Sequence, residues 1–259
     1  MYKKYMLIQY AEKNLAHAVL SLFLCKKFVS LKKILNKINT FVSRMMDNQQ
    51  QNNYKSQTAE LLLKLKAIKL DPNNPFIWAS GLKSPIYCDN RILLSDPGSR
   101  NTIANYFTEI VKHKYDGVDV IAGVATGAIG IGMLVAQKLN LPFIYVRPEA
   151  KKHGRKNQIE GKISENQKIV VIEDLISTGK SSLNAVKVLR ESNLEVLGMI
   201  AIFTYGLNLS MENFKKNKVD LDTLSDYNEL IKKAIDIKYI SEKDSETLKK
   251  WNQNPENWG

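Results

Sequence analysis

The chain has 259 residues, 44% hydrophobic and 25% charged, with a formal net charge of +12 and two cysteines, Cys25 and Cys88. That length suits one large domain, or one domain with an appendage, and the composition excludes wholesale disorder. The cysteines sit in no metal-ligand spacing and exclude a disulfide framework, so a reducing, cytoplasmic setting is the simplest reading. The longest apolar run near the start, 18–25, is too short to span a membrane.

Charge is concentrated at the beginning. Residues 1–46 hold nine Lys or Arg and one Glu, a net of +8, which leaves +4 for the other 213 residues. Three readings of this extension stand side by side: an amphipathic surface helix, a targeting peptide, or codons upstream of the true start. A basic tail on a nearly balanced domain does not call for a nucleic-acid or membrane partner. A polar linker is expected over 47–57 (DNQQQNNYKSQ) and the main domain over 58–259.

Within that domain Thr58 is placed to cap a helix over 59–68, with Leu61, Leu62, Leu65 and Ile68 facing inward. Extended pieces come next at 76–79 and 85–89, joined by the Ser80-Gly81 turn. Then the pattern alternates: strand 118–124, helix 127–140, strand 143–147, a polar loop, strand 168–174, helix 179–192 and strand 196–205. Helical patterns at 226–235 and 241–251 close the chain. Continuous apolar strands alternating with helices predict an α/β fold with a mostly parallel sheet covered on both faces.

The chemistry concentrates in 168–182, KIVVIEDLISTGKSS. In an open α/β sheet ligands gather at the carboxyl ends of the strands. Glu173 and Asp174 are predicted there. Ser177, Thr178, Lys180 and Ser181 surround Gly179 at a helix start, where unpaired N–H groups favour a phosphate. Two carboxylates would repel a bare phosphate but can accept the hydroxyls of a sugar beside one. The plain alternative is a strand–turn–helix with capping hydroxyls.

This stretch resembles the phosphoribosyl pyrophosphate signature of type I phosphoribosyltransferases. The resemblance implies that family's fold, a mostly parallel central sheet flanked by helices with a small hood subdomain. It puts Glu173 and Asp174 on the ribose 2′ and 3′ hydroxyls. Leu175 and Ile176 lead into the loop, and Ser177, Thr178, Gly179, Lys180 and Ser181 surround the 5′-phosphate.

Three further segments resemble the orotate-using subfamily. The loop RPEAKKHG (147–154) is similar to its mobile catalytic loop, which closes over the neighbouring subunit's site. The match implies pyrophosphate contacts from Arg147, Lys151 and His153, with Lys151 and His153 joining Asp174 and Glu173 as catalytic residues. The segment WASGLKSPIYCDNR (78–91) is similar to the hood that meets the base through backbone groups near Tyr87 and Cys88, and GVATG (123–127) to the pyrophosphate loop. Some members place a base-binding Lys where this chain has Ala79, leaving Lys83 or Arg91 to compensate, and an Arg where it has Tyr205. Some also have a basic residue in place of Pro148, or a Tyr-Lys pair at Thr126 and Gly127. Ser177 carries over cleanly as an orotate contact.

Together the likeness spans about 58 to 251 and implies an orotate phosphoribosyltransferase of bacterial type, homodimeric with shared sites. Phosphoribosyl pyrophosphate and orotate would be its substrates, and Mg²⁺ would arrive on the pyrophosphate rather than on a tight protein site. Transfer to a purine or uracil, and a non-catalytic regulator of the same fold, are the competing readings.

Overall fold

A computed structural model of the chain describes residues 53–78, 81–149 and 158–258. Helix α1 (53–64) leads into a hood built from two small antiparallel pairs. Strand β1 (Ile68–Leu70) pairs with β4 (Ile86–Cys88), and β2 (Phe76–Ile77) with β3 (Lys83–Ser84). A 3-10 turn (Asn90–Ser95) then delivers the chain to α2 (Pro97–Lys114). The alternating part runs as β5 (Val120–Val124), α3 (Ile129–Leu139), β6 (Phe143–Val146), β7 (Ile159–Glu160), β8 (Lys168–Ile176), α4 (Lys180–Glu191) and β9 (Glu195–Thr204). Helix α5 (Asn208–Lys216), β10 (Leu221–Asp226), α6 (Tyr227–Asp236) and α7 (Glu242–Gln253) complete it.

The central sheet has the order β10-β9-β8-β5-β6-β7, parallel except for the antiparallel edge strand β7. Its apolar strands bury alternate side chains on opposite faces, as a two-residue period requires. Ile121, Val170, Ile172 and Ile200 join the core under α2, α3, α6 and α7, whereas Ala122, Val171, Met199 and Ala201 pack with Val186, Leu189 and Phe214 of α4 and α5. Fully buried Trp251 locks α7 into the first core, 5.6–5.8 Å between ring centroids from Trp78, Tyr205 and Tyr227. Among the described residues no helix is long and apolar enough to cross a membrane.

The parallel α/β expectation holds, and several boundaries move. Helix α1 already covers 53–57, so those residues are helix and not linker. Lys55 pairs with Asp226 at 2.9 Å, and the Lys55 carbonyl accepts the Ser225 hydroxyl at 2.9 Å, which fastens this first turn to β10. Thr58 is therefore not a cap. It lies inside the helix on the buried face with Ala59, Leu62 and Leu63, and Ile68 belongs to β1. The extension 1–46 and the linker residues before 53 lie outside the described residues.

The buried Thr58 hydroxyl has no hydrogen-bond partner among the described residues. Thr58→Val removes an unsatisfied oxygen at constant shape and is expected to stabilise the fold, raising Tm by about 1–4 °C. A fall in calorimetric Tm of a few degrees would show that the hydroxyl is satisfied.

Candidate active site

Strand β8 does not stop at the acid pair. It runs on to Ile176, pairing Glu173 with Ala201 and Ile176 with Thr204 of β9. Neighbouring side chains on a strand point to opposite faces, so the two acids part company. Glu173 turns inward and is 5% exposed. One of its oxygens accepts the Ser182 hydroxyl at 2.8 Å and the other the Asp174 N–H at 2.9 Å. Burial, and then the charge of Asp174, push its carboxyl well above the usual range.

Asp174 is half-buried and meets the loop after β5. A Cβ built on Gly127 would lie 1.9 Å from Asp174 Oδ2 and 2.3 Å from its Cγ. No side chain fits between them, so position 127 must be glycine for the carboxylate to lie there. The loop is anchored by the Ala125 N–H on the Val146 carbonyl at 2.9 Å and by the Ala128 N–H on Val124 at 3.1 Å, and its Ala125–Thr126 peptide is cis. From the hood side, buried Asn90 donates through Nδ2 to the Asp174 carbonyl at 2.6 Å. One residue of β8 thus touches both the hood segment and the glycine loop.

The turn after β8 leaves the first N–H groups of α4 without backbone partners. Gly179 takes φ +79° as the cap of α4, and a Cβ there would approach Phe214 to 2.7 Å. Asn213 steadies the turn by donating to the Thr178 carbonyl at 3.1 Å. No side chain caps α4, and Leu183 is the first residue whose N–H reaches back, to Gly179 at 2.9 Å. The N–H groups before it face outward with the positive end of the helix. Ser177 and Thr178 are half-buried here, Lys180 and Ser181 exposed. Leu175 and Ile176 put their side chains into packing, so only their backbone can serve a ligand.

Arg147 stands at the neck of the basic loop. Its N–H donates to the Gln158 carbonyl at 2.8 Å, Gln158 Nε2 donates back to the carbonyls of Arg147 and Pro148, and the guanidinium lies 3.6 Å from Glu160. Lys151 and His153 lie outside the described residues. In the hood, Lys83 is exposed on β3, and Arg91 is held in a fork by Asp89 at 2.7 and 2.9 Å. The Cys88 thiol is pushed well up by burial, then by the carboxylates of Asp174 and Asp89.

Between hood and phosphate turn opens a cavity of about 930 Å³. It is lined by Trp78, Gly81 and Leu82 of the hood, by Ser177 and Thr178, by residues 207–209 and by a wall of residues 252–256; Lys83 is not among its lining residues. The structure therefore brings the acid pair, the turn and the hood segment together as the sequence expects, beside three further elements that carry no local signal. Asn90 and Ser182 make buried hydrogen bonds that no local pattern announces, and the 252–256 wall comes from the end of α7, its cap and the 3-10 turn that follows.

Residues 90–237 match the phosphoribosyl transferase domain, the class that this sheet edge and its two loops define. The orotate phosphoribosyltransferase of Cytophaga hutchinsonii is 52% identical over 206 residues, 80% of this chain and 99% of that protein. The Listeria monocytogenes protein of the same name is 53% identical over 203 residues, 78% of this chain and 97% of its own. Among solved structures, the orotate phosphoribosyltransferase of Aeropyrum pernix superposes with a TM-score of 0.62 at 27% identity, covering 71% of this chain and 99% of that one. The chain belongs to the orotate phosphoribosyltransferase family.

Proposed function

We propose that this chain transfers the 5-phosphoribosyl group of phosphoribosyl pyrophosphate to orotate. The products are orotidine 5′-monophosphate and pyrophosphate, on the route to UMP. The observation that supports the reading is the Asp174 carboxylate laid against Gly127, a carboxylate and a glycine loop together on one edge of the sheet, as a sugar beside a pyrophosphate would need.

In this reading the outward N–H groups of 179–182 hold the 5′-phosphate. Asp174 accepts a ribose hydroxyl, and Glu173, with a second lone pair on each oxygen, accepts another from below. Orotate N1 gives up its proton to solvent or the pyrophosphate and attacks C1′ as the bond from C1′ to the pyrophosphate oxygen breaks, with inversion, and positive charge grows on the ring as in glycoside hydrolysis. Asp174 lies where it offsets that charge. Arg147 would exchange Glu160 for the leaving group, and Lys151 and His153 would join it from the basic loop. Closure of that loop would keep water from the activated sugar.

Among the described residues no three His, Cys, Asp or Glu side chains gather as a metal cage. Mg²⁺ is commonly held by one or two carboxylates together with substrate phosphates and water, and Asp174 beside the 123–127 loop suits that donor set. When bound, the ion would neutralise and orient the pyrophosphate.

The test is loss of orotate absorbance with phosphoribosyl pyrophosphate and Mg²⁺. Orotate should be strongly preferred; comparable turnover of hypoxanthine, uracil or adenine with little of orotate overturns the assignment. A shared-site dimer is part of the same proposal. Inactive Lys151→Ala and Asp174→Asn chains, mixed and allowed to exchange, should recover roughly a quarter of wild-type sites, because in a mixed dimer both lesions fall on one site. Exchange confirmed by mass labelling without any recovery assigns each loop to its own chain.

A further inference from the structure

We infer that the C-terminal wall, residues 252–256, reads the base, and that Asn252 is the positioning residue that holds it in place. The inference rests on the orotate reading above. The positions where some relatives carry a base-binding cation hold Ala79 and Tyr205 here, and Tyr205 is 2% exposed inside an aromatic cluster with Trp78 and Trp251. No Lys or Arg among the described residues lines the cavity beside Ser177. The described residues on that side offer a base neutral partners.

The wall supplies them. Asn252, Gln253 and Asn254 bring three carboxamides to the cavity, across from Ser177 and the hood. A pyrimidine base alternates carbonyl acceptors with N–H donors around its rim, and a carboxamide is the side chain that offers both partners at once. Among the described lining residues no Lys or Arg is present and the one carboxylate, exposed Glu256, accepts only, so the side-chain donors among them are amides, hydroxyls and the Trp78 indole N–H.

The wall is also tied to the catalytic edge. Asn252 Nδ2 donates to the Tyr205 carbonyl at 2.6 Å, where β9 ends beside β8. Asn254 caps α7 through its own N–H and accepts from Asn257 through its side chain at 3.0 Å, leaving its Nδ2 as a donor. Gln253 is exposed. All of these lie beyond the 90–237 match to the phosphoribosyl transferase domain. The common fold thus supplies the phosphoribosyl side, and an added helix completes the base side.

Steady-state kinetics with each substrate varied separately test this. Asn252→Leu should raise KM for orotate about fivefold to thirtyfold, the effect of about one to two kcal/mol, while KM for phosphoribosyl pyrophosphate stays within about twofold. Asn252→Gln, which keeps a donor, should recover part of the loss. Gln253→Ala/Asn254→Ala changes only exposed side chains and should raise the same KM with Tm unchanged. If the double variant leaves KM for orotate unchanged, or if Asn252→Leu raises both KM values alike, the wall does not read the base, although the orotate reading stands. A wild type that turns over no orotate removes both.

Discussion

Asp174→Asn is expected to lower turnover by roughly 10²- to 10³-fold, the usual cost of removing one preorganised charge from a reaction centre. The substitution is nearly isosteric, and the hydrogen bonds that Asp174 makes through its backbone, to Asn90 and to Glu173, survive it. The fold should survive as well, and above the folded pKa of Glu173 it should become more stable than the wild type. Glu173 is buried with its carboxyl pushed well above the ordinary 4.5, partly by the charge of Asp174. An acid whose folded pKa is raised contributes stability below its unfolded pKa and loses it as pH rises through the folded one. Taking away the neighbouring charge lowers the folded pKa of Glu173, which burial still keeps raised, so the Tm advantage of the variant should appear only once pH passes the variant's own folded pKa and grow until it passes that of the wild type. Activity within about threefold of wild type would remove Asp174 from the chemistry, since no preorganised charge is so dispensable. A Tm advantage that shrinks with rising pH would refute the coupling of the two acids.

How much of the molecule was legible in the sequence depends on the range of the interactions. The strands at 120–124 and 168–176 are visible because both faces of a parallel sheet are buried, which forces unbroken apolar runs such as IVVI. The phosphate turn is visible because a left-handed cap at Gly179 followed by hydroxyls is a local pattern. Helix α2 escaped notice although its start is well marked, with Asp96 accepting the Ser99 N–H ahead of Pro97. Its inward residues Ile103, Phe107 and Val111 keep helical spacing, but polar neighbours dilute the pattern. Strand β10 was hidden for a similar reason: four of the six residues of LDTLSD are polar, and Asp222 and Asp226 answer Lys114 and Lys55. Misplacing the start of α1 came from taking Thr58 as a cap, when tertiary burial put that hydroxyl in the helix interior. In the site, residue types were readable and pairings were not. Glu173 with Ser182, and Asn90 with Asp174 across 84 positions, exist only once the chain has folded.

Gly127→Ala should inactivate the protein almost as thoroughly as loss of Asp174 itself, and by way of it. The three atoms nearest to an added Cβ all belong to the Asp174 carboxylate, at 1.9, 2.3 and 2.9 Å. Something must give, and the end of a side chain gives more cheaply than backbone. Neither the loop anchors on Val124 and Val146 nor the core under α3 need move. Tm should therefore change little, while the displaced carboxylate no longer meets the sugar. An error of about an ångström in a reacting group costs on the order of 10²-fold in rate. The double variant Gly127→Ala/Asp174→Asn separates this account from a general disturbance of the loop. If the glycine acts only by making room for Asp174, the double variant should be about as slow as Asp174→Asn alone, the strong non-additivity expected of groups that work as one unit. If the losses multiply, Gly127 serves the 123–127 loop independently of the acid. Wild-type rates for Gly127→Ala would mean that the carboxylate does its work from some other position.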